Sequence, residues 1–330
     1  MSQPAIPAQG PAGWPAPGPA PALRYHELQA AGRRGWWRPV AGTLSLVLLM
    51  LVVVPLLIQL PFAIWFAATG QPVISGMERL LDLSDPTPLG LAYLNLVLAC
   101  AIPVTWLLTR VLHGLRPRWL ASVAGGIRWR WFLVCFGLSV VSLLATLVVS
   151  SLVPASAGDS QVSTQVNDFT ETTRDFLLVV LLLTPLQAAG EEYAFRGYLT
   201  QAFGGLFRQP WVAVAGPALL FALAHGAQDA PVFFDRFAFG VVAGVLVIAT
   251  GGLEAGIAMH VLNNWLAFGL ALAFGDMGSA LNPTGGSWWS LPVTLTQSLV
   301  YLGLTLFVAR RMGLATATGP AVLAAPSRRV

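Results

Sequence analysis

Apolar runs follow one another along this chain at 41–68, 89–110, 131–153, 175–203, 210–226, 232–250, 252–274 and 290–309, with short breaks between them. A helix rising ~1.5 Å per residue needs about 20 apolar residues to cross the ~30 Å hydrocarbon core of a bilayer. Most of the runs reach that length, and the shorter ones at 210–226 and 232–250 come close to it. The expected fold is therefore all-α, a polytopic membrane bundle of about eight transmembrane helices.

Composition closes the alternative. Of the 330 residues 56% are hydrophobic and only 10% charged, far too few charges to cover a soluble domain of this size. No separate soluble domain fits, so any activity must lie in the bundle. The expected organisation is a disordered tail and interfacial anchor over 1–38, a transmembrane bundle over 39–311, and a cytoplasmic C-terminal tail over 312–330. The first 22 residues are rich in Pro, Ala and Gly and lack the basic start and apolar core of a signal peptide. The "GRRGWWRPV" that follows mixes arginine with tryptophan, as interfacial anchors do.

All 18 basic residues are arginines. They gather before run 1, between runs 2 and 3, between runs 4 and 5, and after run 8, whereas the alternate loops hold only Arg79 and Arg174. The positive-inside rule then puts both termini in the cytoplasm of a multi-pass cell-membrane protein, which requires an even number of spans. A net charge of +4 spread over short loops argues against a nucleic-acid partner, which would need a clustered basic face. Cys100 and Cys135 lie inside apolar runs and read as small hydrophobes. No internal repeat of the transporter kind is visible.

Against that apolar background, three polar clusters stand out. "AGEEYAFRG" places Glu191, Glu192 and Arg196 in run 4; "FALAH" ends run 5 with Phe221 and His225; "HVLNN" places His260 and Asn264 in run 7. Ionisable groups inside a membrane cost a few kcal/mol each on lenient scales, and they commonly mark function. Glu192 and Arg196 stand four apart and share a helix face, so an ion pair is available to them. Glu191 projects about 100° away, which leaves it free to act as a base. His260 and Asn264 share a face, and Phe221 stacks beside His225 at the same spacing. Counted at ~1.5 Å per residue, the four groups 191, 225, 260 and 264 lie about 12–24 Å from the cytoplasmic ends, one central layer. Pro185, Gly190 and Gly197 are positions where run 4 can kink or open.

Each cluster also has a plainer reading. Glu192–Arg196 can be a buried pair that only fixes packing, and the histidines and Asn264 can be interhelical hydrogen-bonding groups. Asn263, Asp235 and Arg236 read as structural, Glu254 as an interfacial charge, Trp288 and Trp289 as an aromatic belt, and His26 and His113 as ordinary residues of cytoplasmic segments.

Glu191-Glu192-x-x-x-Arg196, Phe221-x-x-x-His225 and His260-x-x-x-Asn264 stand in the order found in the CPBP family. The chain resembles that family over roughly 190–264; it includes the type II CAAX prenyl endopeptidases and the Abi proteins. The resemblance implies an eight-helix intramembrane endopeptidase cleaving a membrane-associated peptide or protein. In that analogy Glu191 and His225 activate a water, His260 and Asn264 stabilise the oxyanion, and Glu192, Arg196 and Phe221 support them. The family implies either a metal-free glutamate mechanism or a zinc site, for which Glu191, His225 and His260 are the available ligands; there is no HExxH, and the metal-free reading is preferred. A non-enzymatic immunity or interaction protein on the same fold, and a proton-coupled transporter, are the rival readings. Whether the substrate is prenylated is not specified by these motifs.

Overall fold

The computed structural model describes residues 22–152, 165–226, 229–282 and 287–319. Among these, seven helices are long and apolar enough to cross a membrane: α1 (Trp37–Ala68), α2 (Pro88–His113), α3 (Trp129–Ser150), α4 (Glu171–Phe207), α6 (Ala230–Thr250), α7 (Glu254–Phe274) and α8 (Leu291–Arg311). A shorter apolar helix, α5 (Pro210–Ala224), stands between α4 and α6. At ~1.5 Å per residue its 15 residues cover about 22 Å, less than the hydrocarbon thickness. The fold is a polytopic helical bundle, as the apolar runs require.

The two ends of the bundle meet. Leu23–Arg24 (β1) pairs antiparallel with Ala317–Thr318 (β2), so the segments before α1 and after α8 meet on one face. A chain that starts and finishes on the same face crosses an even number of times. Seven long helices are an odd number, and α5 is a shorter apolar helix standing among them.

The helices differ in what surrounds them. α1 lies at the periphery, with Leu44, Leu51, Leu56, Leu60 and Ile64 all exposed, a surface that suits acyl chains and not water. α4 is the most enclosed of the seven long helices, and it carries Glu191, Glu192 and Arg196. It is not regular. Leu183 interrupts it before Pro185, which has no N–H to give and clashes with the preceding turn. The chain then runs α-helical over Thr184–Glu192, widens into π-helical turns over Tyr193–Leu199, and closes again over Thr200–Phe207. Such π turns are rare and concentrate at functional sites.

Three expectations change at the face that bears the termini. Residues 1–21 lie outside the described residues, but Tyr25–Ala31, expected in the tail and anchor, forms a 3-10 helix packed against the end of α4. Tyr25 and Leu28 are fully buried, and the Tyr25 hydroxyl donates to the Leu120 carbonyl. The apolar positions 25 and 28, three apart, are what a 3-10 turn stacks on one side. His26 and His113 are also buried, and His113 Nε2 lies 2.9 Å from the Tyr198 hydroxyl. Finally, Glu254 is not an interfacial charge. It is wholly buried and takes a bidentate pair from Arg128, Nε to Oε1 at 2.8 Å and Nη2 to Oε2 at 2.7 Å, with the Arg128 backbone N–H adding a third bond. The loop before α3 folds back over the α6–α7 turn, where Ser122 bridges Gly252, and that loop seals the carboxylate.

His26 gives this face a pH dependence. Burial pushes its imidazole below the ordinary value. The folded state therefore resists a proton that the unfolded chain accepts near pH 6.5, so the stabilisation is complete above about 6.5 and is lost as the pH falls. Thermal melting of the purified protein should move to lower temperature on acidification, and His26→Leu should flatten that dependence.

Candidate active site

The three clusters meet where α4, α5 and α7 pack together. Arg196 Nη1 donates to Glu192 Oε1 at 2.9 Å, and both side chains are almost completely buried. The same Glu192 oxygen lies 2.9 Å from His260 Nδ1. On the other edge of the ring, His260 Nε2 lies 3.3 Å from Glu191 Oε2. An imidazole thus stands between two adjacent carboxylates. Successive helical residues diverge by about 100°, and a ring with a nitrogen on each edge fits into that angle, one carboxylate per nitrogen. Glu191 does not face elsewhere, as the helix rotation alone suggests; it faces the second nitrogen of the residue that Glu192 holds.

Charge accounting makes the cluster legible. Glu191, Glu192 and Arg196 together carry one excess negative charge. A charge left uncompensated in a water-poor interior is costly. With Nδ1–H given to Glu192, one further proton on the Glu191–His260 pair brings the total to zero. Glu191 Oε2, Glu192 Oε2 and Arg196 Nη2 have no hydrogen-bonding partner among the described protein groups, although all three are buried. Polar atoms so placed are ordinarily satisfied by water.

Phe221 joins this cluster to His225. Its ring lies 4.1 Å from the Arg196 guanidinium carbon, 4.3 Å from the His225 ring and 6.0 Å from the His260 ring. The Arg196 contact is a cation–π pair in a desolvated setting. His225 Nδ1 lies 2.8 Å from the Phe221 carbonyl oxygen, which fixes the hydrogen on Nδ1 and leaves Nε2 with its lone pair. Unlike the other groups, His225 is exposed, at the C-terminal end of α5, so its free nitrogen can meet water. Asn264 contacts none of the acids or histidines directly. Its Nδ2 donates to Gln187 Oε1 at 3.0 Å.

Two contributors escaped the sequence reading. Phe239 of α6 lies edge-on to His260 at 5.2 Å and near the Arg196 guanidinium at 5.6 Å; a phenylalanine in an apolar run carries no signal. Gln187 did carry one, being a polar residue four before Glu191 in an apolar stretch. Asp235 and Arg236 form an adjacent ion pair at 2.7 Å on α6.

Gly190 brings α4 against α2 directly behind Glu191. A Cβ there would overlap the Leu98 carbonyl oxygen, so only glycine permits this approach. Gly190→Ala should separate the helices, destabilise the protein by about 1–3 kcal/mol as overpacking does, and shift Glu191 from His260. A lowered melting temperature together with reduced turnover would be the readout.

Among the described residues no three His, Cys, Asp or Glu side chains gather closely enough, as arranged, to hold an ion.

The molecule is thus a many-spanning helical bundle in which α4 and α7 bring two carboxylates and an imidazole together in the interior. Residues 173–266, which contain all three clusters, match the family model of type II CAAX prenyl endopeptidase Rce1-like proteins. The chain is also similar to the uncharacterized protein YyaK of Bacillus subtilis (strain 168), 27% identical over 262 residues, which cover 76% of this chain and 85% of that protein. No solved structure matches the chain.

Proposed function

We propose that the chain is an intramembrane endopeptidase that hydrolyses a peptide bond of a membrane-associated protein or peptide without a metal, with both termini in the cytoplasm. The observation that supports this most strongly is the placement of His260 between Glu191 and Glu192, buried beside Phe221 and Arg196. In this reading a water reaches the cluster from the His225 side. Glu191 takes one of its protons, assisted by the unprotonated Nε2 of His225, and the water oxygen attacks the peptide carbonyl carbon. The proton is held on the Glu191–His260 pair and passes to the leaving nitrogen as the C–N bond breaks. Asn264 donates to the oxyanion. Glu192, neutralised by Arg196, fixes the ring and the tautomer of His260, as an orienting carboxylate does in other hydrolases.

The roles differ from those the family resemblance suggests at one point. Both His260 nitrogens face carboxylates, so the ring is better placed to hold Glu191 and its proton than to donate to an oxyanion. The test is a comparison of new peptide termini in membranes carrying the wild-type protein, Glu191→Ala or His225→Ala. Termini that appear with the wild type and vanish in both variants, at equal protein levels, support the reading. Identical termini in all three would overturn it and favour a packing role in a non-enzymatic protein.

A further inference from the structure

We infer that Gln187 is a catalytic residue of this site, a second oxyanion donor beside Asn264; the inference rests on the peptidase reading above. α4 and α7 run antiparallel here and meet in two rungs. Glu191 faces His260, and Gln187 faces Asn264. Each rung is four residues from the other on both helices, about 6 Å along the axis. One rung carries the carboxylate and imidazole that handle protons. The other carries two amides and no formal charge.

That division matches what peptide hydrolysis needs. The attacked carbon must face the base, and the oxygen that turns negative must face donors held away from any carboxylate. His260, with a carboxylate facing each of its nitrogens, is poorly placed to fill the donor role. Gln187 can fill it. Its side chain is nine-tenths buried, and its oxygen is held by the Asn264 amide. Its own nitrogen bonds to no protein group among the described residues, yet it is not one of the polar atoms sealed away from water-sized space. Exchanging O and N in both amides preserves the pairing and still leaves a free N–H on the rung. The substrate carbonyl is thereby expected to receive one N–H from each helix, so closing α4 on α7 assembles the oxyanion site.

The experiment uses the full-length protein in lipid nanodiscs and, as probe, a synthetic peptide spanning a cleavage point whose new termini depend on Glu191. Gln187→Met removes donor and acceptor at nearly constant volume; Gln187→Glu keeps an acceptor for Asn264 and removes the amide donor. A lost oxyanion donor costs on the order of 10²–10³ in kcat, so both variants should fall by that factor with KM changed by less than about threefold. If Gln187→Glu turns over like wild type while Gln187→Met does not, Gln187 only positions Asn264 and the inference is wrong. Wild-type kcat in both variants also overturns it, with the peptidase reading left standing. If no termini depend on Glu191, the peptidase reading fails and the inference falls with it.

Discussion

Glu191→Gln should lower peptide cleavage by on the order of 10²–10⁴, the range general-base removal typically costs, while leaving the helical bundle folded. The amide keeps the size of the carboxylate and can donate to His260 Nε2. It cannot accept a proton from water. The substitution also removes one of the two carboxylates, so that Glu192 and Arg196 cancel. Stability should therefore change little, because no charge is left unmatched in the interior. Turnover measured in nanodiscs, with melting temperature on the same samples, checks both halves. A large loss of turnover at nearly constant melting temperature is the expected pair of results.

Arg196→Met should have the opposite signature, a loss of stability first. The guanidinium is 1% exposed, pairs with Glu192 and lies over Phe221. Removing one partner of a buried ion pair typically costs about 3–5 kcal/mol, because the other charge stays buried and uncompensated. The cluster would then hold two carboxylates with no guanidinium to match either. Adding Glu192→Gln to Arg196→Met removes the carboxylate that lost its partner, and should recover most of the lost stability. Thermal denaturation of the three variants in detergent measures this. If the double variant melts lower than Arg196→Met by the full effect of a second independent loss, the two residues are not the coupled pair described here.

How much of this was legible in the sequence follows from particular residues. The helices were, because a run such as 41–68 admits no other structure in lipid, and the three clusters were, because charge in an apolar run is conspicuous. The geometry among them was less so. Helix rotation correctly places Glu192 with Arg196, since that pair lies within one helix. It places Glu191 apart, because the ring that reunites the two carboxylates comes from α7, and no local rule contains it. Glu254 was misread for a similar reason. Its partner Arg128 is 126 residues away, on a loop whose return over the α6–α7 turn is a tertiary fact. The buried 3-10 helix at Tyr25–Ala31 went unseen because seven residues are too few for periodicity to show against a disordered-looking start. Gln187 was visible and passed over, since one amide in an apolar helix does not reveal what it faces.

A double-mutant cycle on turnover between Glu191 and His260 tests the central claim most directly. If the two form one proton-handling unit, His260→Gln and Glu191→Gln each remove it, and the double variant should be no slower than the slower single variant by more than about threefold. Losses that multiply, or cleavage that persists in either single variant, would contradict the account.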